Sequence, residues 1–217
     1  MRHFNIPDPS LDSTRQMFKD LENDARDTKI DLGIGIYRDE KGEAPVFKAV
    51  KKAESILYQN EKSKSYKTPA GNSEYCKNIL DLVLGKDILS ERKDKVGAIQ
   101  IPGAGSGLRI AGELIKNNVQ NRLISIPDPT WGQQPFMFEK AGLKISKHSY
   151  YNEQNNFLDF DNMINDLNKL KSGDSLLLHG CCHNPTGADL SLEQWQQVAN
   201  ICLKKGILPF IDLVYQG

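Results

Sequence analysis

The segment that most constrains this chain is HGCCHNPTG, His179 to Gly187, together with what flanks it. Ser175, Leu176, Leu177 and Leu178 form a short apolar run bounded by polar residues, which predicts a strand buried on both faces. Asn184, Pro185, Thr186 and Gly187 are turn formers, and Pro185 has no N–H for a sheet ladder, so the strand is expected to stop near His183. Ser191 and Gln194 have capping-box spacing at the start of a helix that Gly206 closes, behind Lys204 and Lys205. A second predicted strand, Ile207 to Leu213, leads into Tyr215. Strand, loop, helix and strand in this order make the βαβ unit of a parallel sheet. Such sheets bind ligands outside the carboxyl ends of their strands, where His183, Asn184, Asp212 and Tyr215 fall.

Upstream the same alternation recurs. A proline-containing arm, Ile6 to Pro9, precedes a predicted amphipathic helix, Ser13 to Arg26, with Met17, Phe18 and Leu21 inward. Leu32, Ile34 and Ile36 alternate with Gly33 and Gly35, and glycine in a strand pattern marks a bulge, a turn or close approach of a ligand to the backbone. Helices are predicted from about Phe47 to Tyr58, from Glu74 to Leu84 with Gly85 beyond it, and from Phe160 to Leu170. Val96 to Ile101 and Arg122 to Ile126 read as strands, Leu143 to Tyr150 as extended. After the first of these comes PGAGSG, Pro102 to Gly107, then a helix through Lys116; Trp131 leads into another helix ending at Ala141 and Gly142. The predicted fold class is α/β, a doubly wound, mostly parallel sheet with helices on both faces.

Composition excludes several functions. Lysine plus arginine balances aspartate plus glutamate at 28 each, so no global field favours nucleic acid or an anionic membrane. The N-terminal MRHFNIPDPS has no apolar signal region, and no run of roughly twenty apolar residues occurs, so a soluble, cytoplasmic protein is expected. The cysteines, Cys76, Cys181, Cys182 and Cys202, are too few for a disulfide scaffold and suit a reducing compartment.

Four chemistries compete for these residues. Gly103, Gly105 and Asp128 imitate a dinucleotide fingerprint, but Leu108 stands where a small residue must let helix and strand pack. His179, Cys181, Cys182 and His183 have the ligand types for zinc, without a second pair at finger spacing. Cys181 or Cys182 with His183 would make a nucleophile and base, although catalytic cysteine and histidine are usually remote in sequence. The last is a phosphate-bearing aromatic cofactor. Backbone N–H groups of the glycine loop would take the phosphate. Trp131 would stack on the ring, Asp212 would hold a ring nitrogen protonated, and Asn184 and Tyr215 would donate to a phenolate oxygen, the set that pyridoxal phosphate asks of a protein.

Four segments, GIGIYRDEKGEAP (33–45), PTW (129–131), HGCCHNPTG (179–187) and PFIDLVYQG (209–217), together resemble the aspartate and aromatic-amino-acid aminotransferases of class I, pyridoxal-phosphate fold type I, in the right order over nearly the whole chain. The resemblance implies that Asp212 pairs with the pyridine nitrogen of pyridoxal 5'-phosphate, that Asn184 and Tyr215 bond the phenolate oxygen, and that Trp131 stacks on the ring. Gly103, Ala104, Gly105 and Ser106 would hold the phosphate. Gly35, Trp131 and Asn184 would meet the substrate, and Tyr66 would reach the partner's cofactor in a homodimer. It implies residues 1–45 as an N-terminal arm and part of a small domain, and 46–217 as an incomplete large cofactor-binding domain. The reaction implied is ping-pong transfer of an amino group from aspartate, glutamate or an aromatic amino acid to a 2-oxo acid.

The chain departs from this family in places. Gly105 stands where a hydroxyl residue is usual and Ser106 comes one place later, Gln133 and Gln134 stand where Asn-His is common, and Val214 replaces a usual alanine. The lysine that carries the cofactor, and two substrate-binding arginines, are expected beyond Gly217, so no catalytic residue is assigned within the chain. Alone it is expected to be inactive and marginally stable. The alternative from another class is a remnant of the fold that has lost its lysine and acts only in binding.

Overall fold

The computed structural model describes residues 13–30, 33, 35–66 and 68–215. The predicted arm, Ile6 to Pro9, and Leu32 and Ile34 lie outside them. Residues 1–66 and 67–217 form two compact units. In the first, α1 (Ser13–Asn23) and α2 (Lys48–Asn60) are the regular elements. Met17 and Leu21 are half-buried on α1, but Phe18, expected inward, is 39% exposed. The described residues between 33 and 38 form no strand, because an alternating pattern becomes one only beside a ladder partner.

The second unit begins with α3 (Ser73–Leu84), where Asn72 accepts hydrogen bonds from the Glu74 and Tyr75 N–H groups. The short α4 (Lys86–Glu91) follows; six residues are too few to show a helical period in sequence. The chain then alternates α5 (Ala104–Asn118), β1 (Leu123–Asp128), α6 (Gln133–Ala141), β2 (Lys144–Ser149), a small hairpin of β3 (Tyr151–Asn152) and β4 (Phe157–Leu158), α7 (Phe160–Leu167), β5 (Ser175–His179), α8 (Leu192–Lys205) and β6 (Leu208–Asp212). Gly142 and Gly206 close α6 and α8 in the left-handed conformation, and the Ser191–Gln194 capping box opens α8, as their spacing predicts.

All pairings in the main sheet are parallel, in the order β2-β1-β5-β6. The chain steps from β1 out to β2 and then returns to the other side of β1, so strand order reverses between β1 and β5. That is the topological switch point, and a crevice at the carboxyl ends of the strands follows. Side chains alternate across β5: Leu176 and Leu178 enter a core with Met163, Leu167, Val198 and Ile207, whereas Leu177 enters the opposite core with Leu108, Ile124, Ile126 and Phe138. Helices α7 and α8 cover the first face, α5 and α6 the second. Among the described residues no helix is long and apolar enough to cross a membrane.

Three predicted boundaries are corrected. Val96 to Ile101 is not a strand: Gln100 N donates to Ala70 O, but no ladder forms along the segment and Ile99 is 57% exposed. β1 runs on through Pro127 to Asp128, because its ladder to β5 covers only Ile124 and Ser125 and the missing proline donor stands past its last rung. β5 ends at His179, four residues earlier than expected. There the backbone turns, with Cys182 at φ 49°, and the N–H groups of Cys182 and His183 donate to the Asp189 carboxylate at 2.9 and 3.1 Å.

Candidate active site

Three strand ends supply the site: Asp128 closes β1, His179 closes β5 and Asp212 closes β6. The register sets His179 beside Asp212. Between them stands Gln134, from the first turn of α6, which is 1% exposed. Its Nε2 donates to Asp212 Oδ2 at 2.6 Å, and its Oε1 lies 3.1 Å from His179 Nε2. Thr130 Oγ1, in the loop after β1, donates to the same Oε1. On the far side of the ring, the Asn184 backbone N–H donates to His179 Nδ1 at 3.1 Å. A ring accepting at Nδ1 carries its proton on Nε2, so the chain reads Asn184 N–H to His179 to Gln134 to Asp212.

Electrostatics agree with a neutral ring. Burial pushes His179 below its ordinary value, against the opposing pull of Asp212 and Asp189. Burial, with His179 adding to it, pushes His183 down to about 3. The two rings lie 4.4 Å apart, and Tyr150 stacks on His183 at 3.8 Å. Neutral rings can stack this closely; two imidazolium ions would repel. His183 Nδ1 is engaged by Thr186 Oγ1 at 2.8 Å.

Asn184 and Tyr215 also come together, with Asn184 Nδ2 3.5 Å from Tyr215 Oη, at the outer limit for a hydrogen bond. Both groups can therefore address one acceptor. Asp212 shares a cleft of about 490 Å³ with Ala104 and Gly107 of the glycine loop, the rest of its lining being apolar, Ile101, Leu108, Phe210 and Leu213 among it. Trp131 is half-buried and packs on the core that holds Leu108 and Phe138.

The glycine loop fits a phosphate. Gly103 is the N-cap of α5 at φ 155°, ψ 168°, a region open to glycine, and no side chain caps the helix. The first turn carries no acidic residue. The N–H groups of Ala104, Gly105 and Ser106 and the positive end of the helix dipole are thus open to an anion, with no acidic side chain in the helix's own first turn. Ser106 is exposed there, and Gly105 half-buried. The ring contacts fit as well: among the described residues Asp212 Oδ1 has no hydrogen-bond partner, which leaves one carboxylate oxygen for a cationic N–H.

Gly103, Ala104, Gly105, Ser106, Trp131, Asn184, Asp212 and Tyr215 lie in one unit; within it Asn184 meets Tyr215 and is linked through His179 and Gln134 to Asp212, and Ala104 shares the cleft with Asp212. Gly35 and Tyr66 belong to the other unit; Tyr66 is fully exposed, and a Cβ at Gly35 would meet nothing within 4 Å. Among the described residues no group of three or more His, Cys, Asp or Glu side chains converges to hold a metal. Lost hydration and the adjacent Cys181 push the Cys182 thiol up, the wrong direction for a thiolate nucleophile.

Comparison with known proteins decides the family. The sequence profile described as aminotransferase class I and II matches residues 27–217. The chain belongs to the class I and II aminotransferases. It is 41% identical over 194 residues to the aspartate aminotransferase of Escherichia coli (strain K12), covering 89% of this chain and 49% of that protein. It is 37% identical over 213 residues to the aromatic-amino-acid aminotransferase of Paracoccus denitrificans, covering 98% and 53%. The chain spans about half the length of the curated relatives it matches.

The fold is that of pyridoxal-phosphate-dependent aminotransferases. An aromatic amino acid aminotransferase from Burkholderia cenocepacia J2315 superposes with a TM-score of 0.92 at 32% identity, over 99% of this chain and 54% of that one. An aromatic-amino-acid aminotransferase from Burkholderia pseudomallei, described as covalently bound to pyridoxal phosphate, superposes at 0.89 with 30% identity, over 99% and 53%. Class I aminotransferases use pyridoxal phosphate as their cofactor.

Motifs do not give the roles of three residues of the candidate site: Thr130 lies within PTW, Gln134 is a departure where Asn-His is common, and Asp189 falls outside the matched segments. Gln134 holds Asp212, Thr130 holds Gln134, and Asp189 holds the backbone N–H groups of Cys182 and His183. One signal was present for Gln134, which shares the inward face of α6 with Phe138 and Ala141 at i, i+4 and i+7. A carboxamide on such a face needs buried polar partners.

Proposed function

We propose that this chain binds pyridoxal 5'-phosphate at the carboxyl ends of β1, β5 and β6 and is the part of an aminotransferase that supplies the ring and phosphate contacts. The reaction is transfer of an amino group between an amino acid, aspartate, glutamate or aromatic, and a 2-oxo acid. The observation that carries this reading is the hydrogen-bonded chain from Asn184 through His179 and Gln134 to Asp212, with Tyr215 beside Asn184. It aligns a carboxylate with two donors across one crevice.

When bound, the cofactor supplies an electron sink for carbanion character at the amino acid α-carbon. Asp212 sets a negative charge against the ring nitrogen and keeps a proton there. Asn184 Nδ2 and Tyr215 Oη donate to the phenolate oxygen, Trp131 covers a ring face, and the N–H groups of Gly103 to Ser106 take the phosphate. The lysine that carries the cofactor is assigned to none of residues 1–217. Lys204 and Lys205 close α8 just before β6 begins, at the amino ends of the strands, and Lys205 Nζ is spent on Asn168 O at 2.9 Å. Within the same reading, residues 1–45 form the arm and part of a small domain and 46–217 belong to the large domain. Gly35 meets the substrate through its backbone, and Tyr66 serves the second site of a homodimer. A cytoplasmic location accords with the rice relative described as cytoplasmic aspartate aminotransferase.

The test is equilibrium titration of the full chain with pyridoxal phosphate, followed by absorbance and ligand fluorescence. One saturable site is expected, weakened on the order of tenfold by Asn184→Ala, which removes a hydrogen bond to a charged oxygen. Inorganic phosphate should compete. Absence of saturable binding by the unsubstituted chain, or equal affinity in the variant, contradicts the assignment.

A further inference from the structure

We infer that Gln134 is the positioning residue for Asp212: its carboxamide fixes which carboxylate oxygen faces the cofactor, and Thr130 and His179 fix the carboxamide. In its role toward a pyridine ring this inference rests on the function proposed above; the hydrogen-bonded arrangement stands on geometry alone.

The argument is one of donor and acceptor counting. His179 Nε2 lies 3.0 Å from Gln134 Nε2 and 3.1 Å from Oε1. Only the second contact can be a hydrogen bond, because Nδ1 already accepts from Asn184 N and the proton therefore sits on Nε2. Oε1 then accepts from both the imidazole and the Thr130 hydroxyl. The amide nitrogen has only its hydrogens to offer, and Asp212 Oδ2 stands 2.6 Å away. Flipping the amide would set its oxygen against a carboxylate and its nitrogen against two donors. Each of the three contacts opposes the flip, so the amide has one orientation.

The consequence falls on Asp212. It sits at the end of an outer strand among the described residues, where neighbours give its side chain little steric definition: Leu213 and Val214, which follow it, are 39% and 55% exposed. With Oδ2 held by Gln134, the carboxylate plane is set and Oδ1 is the oxygen left for an N–H outside the chain. Because the link is a carboxamide, it carries no net charge of its own and neither gains nor gives up a proton in the neutral range. Asp212 is thereby oriented without the neutralisation that a cationic neighbour would bring to the same carboxylate.

The experiment has two arms. The first holds no cofactor: the full chain, labelled with nitrogen-15, is examined by NMR for the Gln134 side-chain amide and the His179 ring. The expected result is an Nε2-protonated His179 and one slowly exchanging, downfield Gln134 amide proton. Asp212→Ala should return that proton to fast exchange. An Nδ1-protonated ring, or an amide proton indifferent to Asp212→Ala, overturns the inference. The second arm measures the dissociation constant of pyridoxal phosphate for Gln134→Leu and for Thr130→Val, which leaves Gln134 and Asp212 in place. Loss of a charge-assisted hydrogen bond predicts weakening on the order of tenfold for the first and a smaller loss for the second. Gln134→His, which restores a ring N–H donor, should recover part of the loss. Unchanged affinity in Gln134→Leu with correct folding also overturns the inference. Failure of the unsubstituted chain to bind the cofactor refutes the functional reading instead, since the first arm does not depend on it.

Discussion

Acidification from pH 7.5 to 5 should cost this fold about 4 kcal/mol through two buried histidines. His148, on β2, is 1% exposed, and burial pushes it from 6.5 down to about 4, against the upward pull of Asp166 and Asp128. His183 is equally buried and is pushed to about 3. Each is a base whose folded value lies below its unfolded one. The neutral ring therefore contributes stability in full above 6.5, and the contribution is lost as pH falls from 6.5 toward the folded value. At pH 5 the unfolded ring is about 97% protonated and the folded ring about 10% or less, so linkage gives about 2 kcal/mol for each. Asp166 does not confuse this window. Hydrogen bonds, that from Lys169 first, hold it at about 2, so its contribution persists above 3.8 and fails only in stronger acid. Urea unfolding of the full chain at pH 7.5 and 5.0 measures the drop, and His148→Gln should reduce it by about half, to about 2 kcal/mol. A drop below about 1 kcal/mol in the unsubstituted chain, or a full drop in the variant, would refute the linkage argument.

Two further outcomes follow from packing and backbone. Phe138 is fully buried and meets Phe210 edge to face at 5.5 Å, so Phe138→Ala should cost about 3–5 kcal/mol in the same urea assay. Gly103→Ala forces a side chain into a conformation that costs about 1–3 kcal/mol, and it should weaken inorganic phosphate and pyridoxal phosphate alike. A variant that binds both ligands normally would remove the glycine loop from the site.

The parts of the fold that were legible are those where local chemistry and tertiary burial agree. Four consecutive residues, Ser175 to Leu178, can be apolar or small only if both faces of β5 are covered, and they are. Ser191, Gln194, Gly142 and Gly206 announced helix ends because each satisfies a backbone group that the helix leaves open. Val96 to Ile101 misled for the opposite reason. Its apolar pattern suits a strand, but a strand is a property of a pair, and no pairing partner runs beside it among the described residues.

The site divides in the same way. Asn184, Asp212 and Tyr215 stand out in the sequence as polar groups at or just past the predicted strand ends, and the structure puts Asp212 at the end of β6 and the other two in the loops beyond β5 and β6. Gln134 and Asp189 do not stand out, since a carboxamide in a helix and a carboxylate in a loop have many ordinary uses. Only the fold shows that one holds Asp212 and the other the turn between Cys182 and His183.

The central claim is that Asp212 keeps a proton on the ring nitrogen of a cofactor held at these strand ends. Nitrogen-15 NMR of pyridoxal phosphate labelled at that nitrogen, bound to the full chain between about pH 6 and pH 9, reports the proton directly. The account predicts a protonated nitrogen across this range in the unsubstituted chain, and a nitrogen that titrates like free ligand in Asp212→Ala. The same resonance in both proteins would contradict it.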